Sequence, residues 1–132
     1  MIVVRWIFVP LSAFGVWAAA LLLGLAGVNL LDSLCPPRLM VSGFCTVWWY
    51  QPAMSVLEML CASIAAAGVV VVPALVAPAY RIRVATISFI AGAVFTTALA
   101  RAGGLWWPFV AAAVTGSLAL YACVTRWRRP RA

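Results

Sequence analysis

The stretch that decides the fold is Ala53–Ala79, AMSVLEMLCASIAAAGVVVVPALVAPA, an apolar run interrupted by a single charge at Glu58. It exceeds the roughly 20 predominantly apolar residues that a helix needs to cross a bilayer. Three further stretches share this character: Trp6 to about Leu31, Val84 to Ala100, and Leu105 to Thr125. The third of the four is the shortest, and its neighbours Ile82 and Ala102 extend it. The reading is an all-α integral membrane protein: one transmembrane domain over residues 1–132, a four-helix bundle with antiparallel hairpins and one structured outer loop, 32–52.

Composition leads to the same place. Hydrophobic residues make up 67% of the 132, charged residues 8%, and the mean hydropathy is +1.15. Soluble domains are nearer half apolar and a quarter charged. A domain this small leaves much of its surface exposed, so it could not hide that much apolar side chain from water. The first apolar run is also far longer than the 7–15 residues of a signal-peptide core. A lipobox would need Cys after Leu25-Ala26-Gly27, where Val28 stands. The segment is therefore expected to stay as an anchor.

The arginines give an orientation. With the N-terminus in the cytoplasm, Arg5, Arg81, Arg83, Arg126, Arg128, Arg129 and Arg131 lie inside, and Arg38 and Arg101 outside. That bias across short loops follows the positive-inside rule. Aromatic residues agree: Trp6, Tyr80 and Trp127 mark the inner interface, and Trp48, Trp49, Tyr50, Trp106 and Trp107 the outer one. A net charge of +7 would suggest nucleic acid in a soluble protein. Here no basic face repeats at helical spacing, so the bilayer, not nucleic acid, is the expected partner. Arginine without lysine, amid much Ala, Gly and Val, points to a GC-rich bacterial genome and hence to a bacterial inner membrane.

Short turns at Tyr80–Arg83 and Arg101–Gly104 make hairpins of helices two and three and of helices three and four. No internal repeat suggests a transporter built from inverted halves. Pro73 interrupts helix two, Pro78 helps to end it, and Pro10 and Pro108 fall near helix starts, where a missing N–H does little harm.

The outer loop carries Cys35 and Cys45 on the oxidising side, where disulfides persist. A bridge would close a loop of about eleven residues and contribute about 2–3 kcal/mol on the chain-entropy model. A structural staple, a redox-active pair and unpaired thiols all remain open, although disulfide exchangers usually space their cysteines as Cys-x-x-Cys. The adjoining Trp48-Trp49-Tyr50 is a candidate contact surface for a partner protein or a lipid-linked substrate; its alternative is an aromatic belt at headgroup level.

Glu58 is the sole acid within an apolar run. A helix starting near Ala53 would put it about 7–8 Å below the outer end. An ionisable group at such a position is expensive and usually faces the bundle or a wet cavity. Arg101 ends helix three on the same side, which makes Glu58–Arg101 a candidate intramembrane ion pair, with Arg38 as a second partner. A coupling carboxylate and simple snorkelling are the other readings.

Small residues at packing spacing line Ala20–Gly24, Ser88–Gly92–Thr96 and Ala112–Gly116. Cys61 and Cys123 read as small packing residues. With no histidine and two carboxylates, a Ser-His-Asp set is excluded, and neither a metal centre nor any other cofactor is expected. Three functions follow: an accessory or scaffolding subunit of a membrane complex, associating with another membrane protein or with itself; a small oligomeric transporter or channel using Glu58; and a thiol–disulfide protein using Cys35 and Cys45. The first leans away from an enzyme.

Overall fold

A computed structural model describes residues 2–41, 43–77, 79–104 and 106–128, without the side chains of 2–5, 44 and 128. Its four helices are α1 (Ile2–Ser33), α2 (Tyr50–Val76), α3 (Arg81–Gly103) and α4 (Trp106–Arg128). Each is long and apolar enough to cross a membrane, with mean hydropathies of 2.0, 2.4, 1.7 and 1.6. The chain is a multi-pass membrane protein with the expected all-α, four-helix bundle.

Three helix starts differ from the sequence reading, and proline explains one of them; α3 begins at Arg81, three residues before Val84, so Arg81–Arg83 form its first turn and not part of the connection. Helix α2 begins at Tyr50, three residues before Ala53, because Pro52 sits in its first turn. There the missing N–H has no intrahelical acceptor to lose. The Ala53 amide closes that turn on the Trp49 carbonyl at 3.1 Å. Helix α1 begins at Ile2, so Pro10 lies inside it and not near its start, leaving the Trp6 carbonyl without its usual donor. Helix α2 ends at Val76. The expected roles of Pro78 and of Leu105 as the first residue of helix four, and Arg129 and Arg131, lie outside the described residues.

The bundle is organised around α2, which packs against each of the other three helices. Helix α1 runs antiparallel along α2, and glycines set the approach. A Cβ on Gly27 would stand 2.6 Å from Leu57 Cδ1, and one on Gly68 2.5 Å from Val16 Cγ1. Gly24 is looser, 3.6 Å from the Cys61 sulfur by the same measure. On the far side of α2, a Cβ on Gly116 of α4 would meet Phe89 of α3 at 3.1 Å and Ala66 at 3.7 Å. Helix association in lipid lacks a hydrophobic drive and rests on close contact through small side chains. The buried set fits that rule: Ala20, Ala74, Ala77, Ala85, Ala100 and Ala112 are half of its twelve apolar members. Large aliphatics such as Leu22, Ile87 and Val94 face outward.

One buried cluster lies where α2 ends and α3 begins, opposite the α1–α2 loop. Val70, Ala74 and Ala85 form its core, with Phe89, Leu120 and Trp127 packed around them. Arg81 lies over the Trp127 ring at 5.9 Å and Arg83 over the Tyr80 ring at 5.2 Å, so two cations of the short turn rest on aromatic faces. Tyr80 itself is left-handed, φ 55°, which costs about 1–2 kcal/mol for a residue with a side chain. Hydroxyls inside the spans, among them Thr86, Thr96, Thr115 and Ser117, donate to carbonyls of the preceding turn. That is how polar side chains are satisfied without water.

Candidate functional site

Two features carry chemistry, the loop at one end of the bundle and a groove along its side. The first is the loop between α1 and α2. Pro36 and Pro37 lead into a short 3-10 turn, Pro37–Leu39. A two-residue ladder follows, with Met40 opposite Cys45 and Val41 opposite Phe44. Gly43 turns the chain at φ 81°, a conformation that glycine adopts without steric cost. Thr46 closes the ladder, its amide and hydroxyl both donating to the Leu39 carbonyl at 3.1 and 2.9 Å. Cys35 and Cys45 form a disulfide beneath it, their Cα atoms 6.1 Å apart. Both are buried and share a small core with Tyr50, flanked by Leu31, Val47, Trp49 and Met54.

One contact here was not anticipated. The Tyr50 hydroxyl donates to Asp32 Oδ1 at 2.6 Å, joining the end of α1 to the start of α2. The sequence offered an acid and a tyrosine eighteen positions apart, with nothing to say that a loop would fold them together. Tyr50 therefore does not belong to an outward surface with its two neighbours. It is buried, Trp49 is half-buried, and Trp48 alone projects, 87% exposed. The expected aromatic trio divides into a structural residue and a displayed one.

The second feature is a lateral groove of about 910 Å³. It exists because α1 packs along α2 and has no comparable packing with α3 or α4. Helix α2 forms the floor, α1 one wall, and α3 with α4 the other. Trp17 and Phe95 meet edge to face across it, ring centroids 6.3 Å apart. Glu58 stands on the floor, exposed to the groove. Because α2 starts at Tyr50, Glu58 lies about 12 Å along the helix from its first residue, deeper than a start at Ala53 implied.

The structure does not bring Glu58 and Arg101 together. Arg101 is exposed on a face of α3 shared with Val94, Thr97 and Ala98, which do not line the groove, and bordered by Ala93, which does. Neither Arg101 nor Arg38 comes within 4.0 Å of the Glu58 carboxylate. Helical neighbours at one membrane level still point in different directions, and sequence level alone does not reveal which.

All three small-residue faces border the groove, but they differ in packing. Ala20 and Ala112 are buried, Gly24 lies against Cys61 of α2 and Gly116 against Phe89 of α3 and Ala66 of α2, whereas a Cβ on Gly92, between Ser88 and Thr96, would meet nothing within 4 Å. Cys123 is a buried free thiol, and Cys61 a half-buried one facing Gly24. Among the described residues no group of three or more His, Cys, Asp or Glu is placed to hold a metal ion.

Comparisons with known proteins return no match to a family model, a curated protein or a solved structure. The fold and site define a multi-pass, four-span membrane protein, and its function must be argued from its own residues.

Proposed function

We propose that this chain is an accessory or scaffolding subunit of a bacterial inner-membrane complex, with both ends in the cytoplasm and the stapled loop on the outer face as its contact surface. The observation that carries this reading is the fixation of a displayed side chain. A disulfide, a ladder and the Tyr50–Asp32 hydrogen bond all hold the loop, and its Trp48 side chain is 87% exposed. A tryptophan that only marks the headgroup layer needs no such fixation. An aromatic anchor that must meet a protein partner gains from it, since preorganisation lowers the entropy cost of binding. The sequence, lacking histidine, holds no Ser-His-Asp set that would argue for an enzyme. The arginine asymmetry supports the orientation.

A photo-crosslinking amino acid in place of Trp48 tests the proposal in native membranes. One discrete protein adduct is expected, strongly reduced when the crosslinker replaces half-buried Trp49. Adducts with lipid alone would count against it.

The transporter reading has one observation in its favour, the opening of Glu58 onto a membrane-embedded groove. The thiol–disulfide reading has less support. Exchange requires access to a sulfur, and Cys35 and Cys45 are 7% and 4% exposed within a small apolar core.

A further inference from the structure

Among the described residues the groove holds one charge and no partner for it, Glu58 being the only charged residue of these that lines it. Glu58 lies about 12 Å along α2, and an acidic side chain inside a span usually faces a partner of opposite charge or a wet cavity. Arg101, which lies near the end of α3 on that side, sits among Val94, Thr97 and Ala98, outside the groove, and does not reach the carboxylate.

A small hydrated cation would be held poorly. Calcium or magnesium asks for six or more oxygen ligands, whereas the groove's other polar side chains are Ser88, Thr96 and the Cys61 thiol. What the walls supply in quantity is aromatic and aliphatic surface. Phe109 is seven residues before Gly116, and Glu58 is eight before Ala66. Since Gly116 lies against Ala66 and α2 and α4 run the same way, Phe109 falls at the level of Glu58. The Trp17–Phe95 pair lies deeper, towards the bundle's middle.

We propose that the groove binds a lipophilic organic monocation, its charge against the Glu58 carboxylate and its apolar body along the groove towards Trp17 and Phe95. Charge complementarity selects the sign, the lack of other ligands rejects a bare metal ion, and the rings add cation–π attraction. The volume of about 910 Å³ is near the upper end for small-molecule sites. The site lies within the span and is separate from the displayed loop, so it stands or falls independently of the subunit reading.

Tetraphenylphosphonium is the probe, titrated by equilibrium dialysis into the full chain in nanodiscs. Tetraphenylborate serves as a control of the same shape and opposite charge. Saturable binding of the cation is expected, with none of the anion. Glu58→Gln should weaken cation binding by at least about tenfold, the scale for losing one partner of a desolvated charge pair. Gly92→Leu, placed in open space on the groove wall, should also weaken it while leaving thermal unfolding unchanged. It decides the matter if Glu58→Gln folds poorly. Equal uptake of cation and anion, no saturable uptake, or full binding by either folded variant would overturn the site.

Discussion

The Tyr50 hydroxyl bonds to Asp32 Oδ1 at 2.6 Å, and this ties the last turn of α1 to the first turn of α2 above a disulfide that links the same segment. Tyr50→Phe keeps the ring in the small core and removes only that bond, leaving the Asp32 carboxylate without its partner. The bundle should be destabilised, by less than cleavage of the disulfide costs. Asp32→Asn retains an acceptor oxygen and should cost less than Tyr50→Phe. Unfolding in mixed micelles measures both, and their double mutant should lose less than the sum if the pair acts as one unit.

The disulfide makes a chemical prediction and an energetic one. Alkylation in denaturant without reductant should label two of the four cysteines, Cys61 and Cys123, and reduction should raise the count to four. Cys35→Ser should lower stability by about 2–3 kcal/mol, the chain-entropy value for so short a loop. A count of four before reduction would show that the staple does not form in the membrane.

Glycine substitutions should sort by what their Cβ meets. Gly68→Ala drives a methyl to 2.5 Å from Val16 Cγ1, a stiff β-branched side chain, and should cost about 1–3 kcal/mol through overpacking. Gly27→Ala meets the flexible end of Leu57 and should cost less. Gly92→Ala meets nothing within 4 Å and should be neutral or slightly stabilising through helix propensity. Thermal unfolding of the three variants gives the order, and a Gly92 variant as damaged as the Gly68 one would contradict the packing described.

Orientation has its own check. A C-terminal green fluorescent protein fusion should fluoresce and a C-terminal alkaline phosphatase fusion should be inactive in a bacterial host. The opposite pair of results would reverse the arginine argument and move the loop bearing Trp48 to the cytoplasmic side.

Much of this fold was legible because hydropathy reports the solvent directly: four apolar runs become four spans, whichever helices later touch. Helix ends were less legible, since Pro52 reads as a break and yet sits without cost in the first turn of α2. The site was legible only in its parts. Glu58 stood out as a lone acid and the two cysteines as a pair, but a groove is made where helices pack little, here α1 and α3, whose rings Trp17 and Phe95 touch across it. The sparse packing of α1 on α3 is a property of the bundle that neither segment encodes alone. The Tyr50–Asp32 bond was hidden similarly, because it depends on how the stapled loop returns the chain.

If the rigid loop serves a partner, native mass analysis of the chain extracted into nanodiscs from its own membrane should show a second protein at fixed stoichiometry with wild type, lost with Trp48→Ala while the bundle stays folded. A wild-type particle containing only this chain and lipid, unchanged by Trp48→Ala, would contradict it.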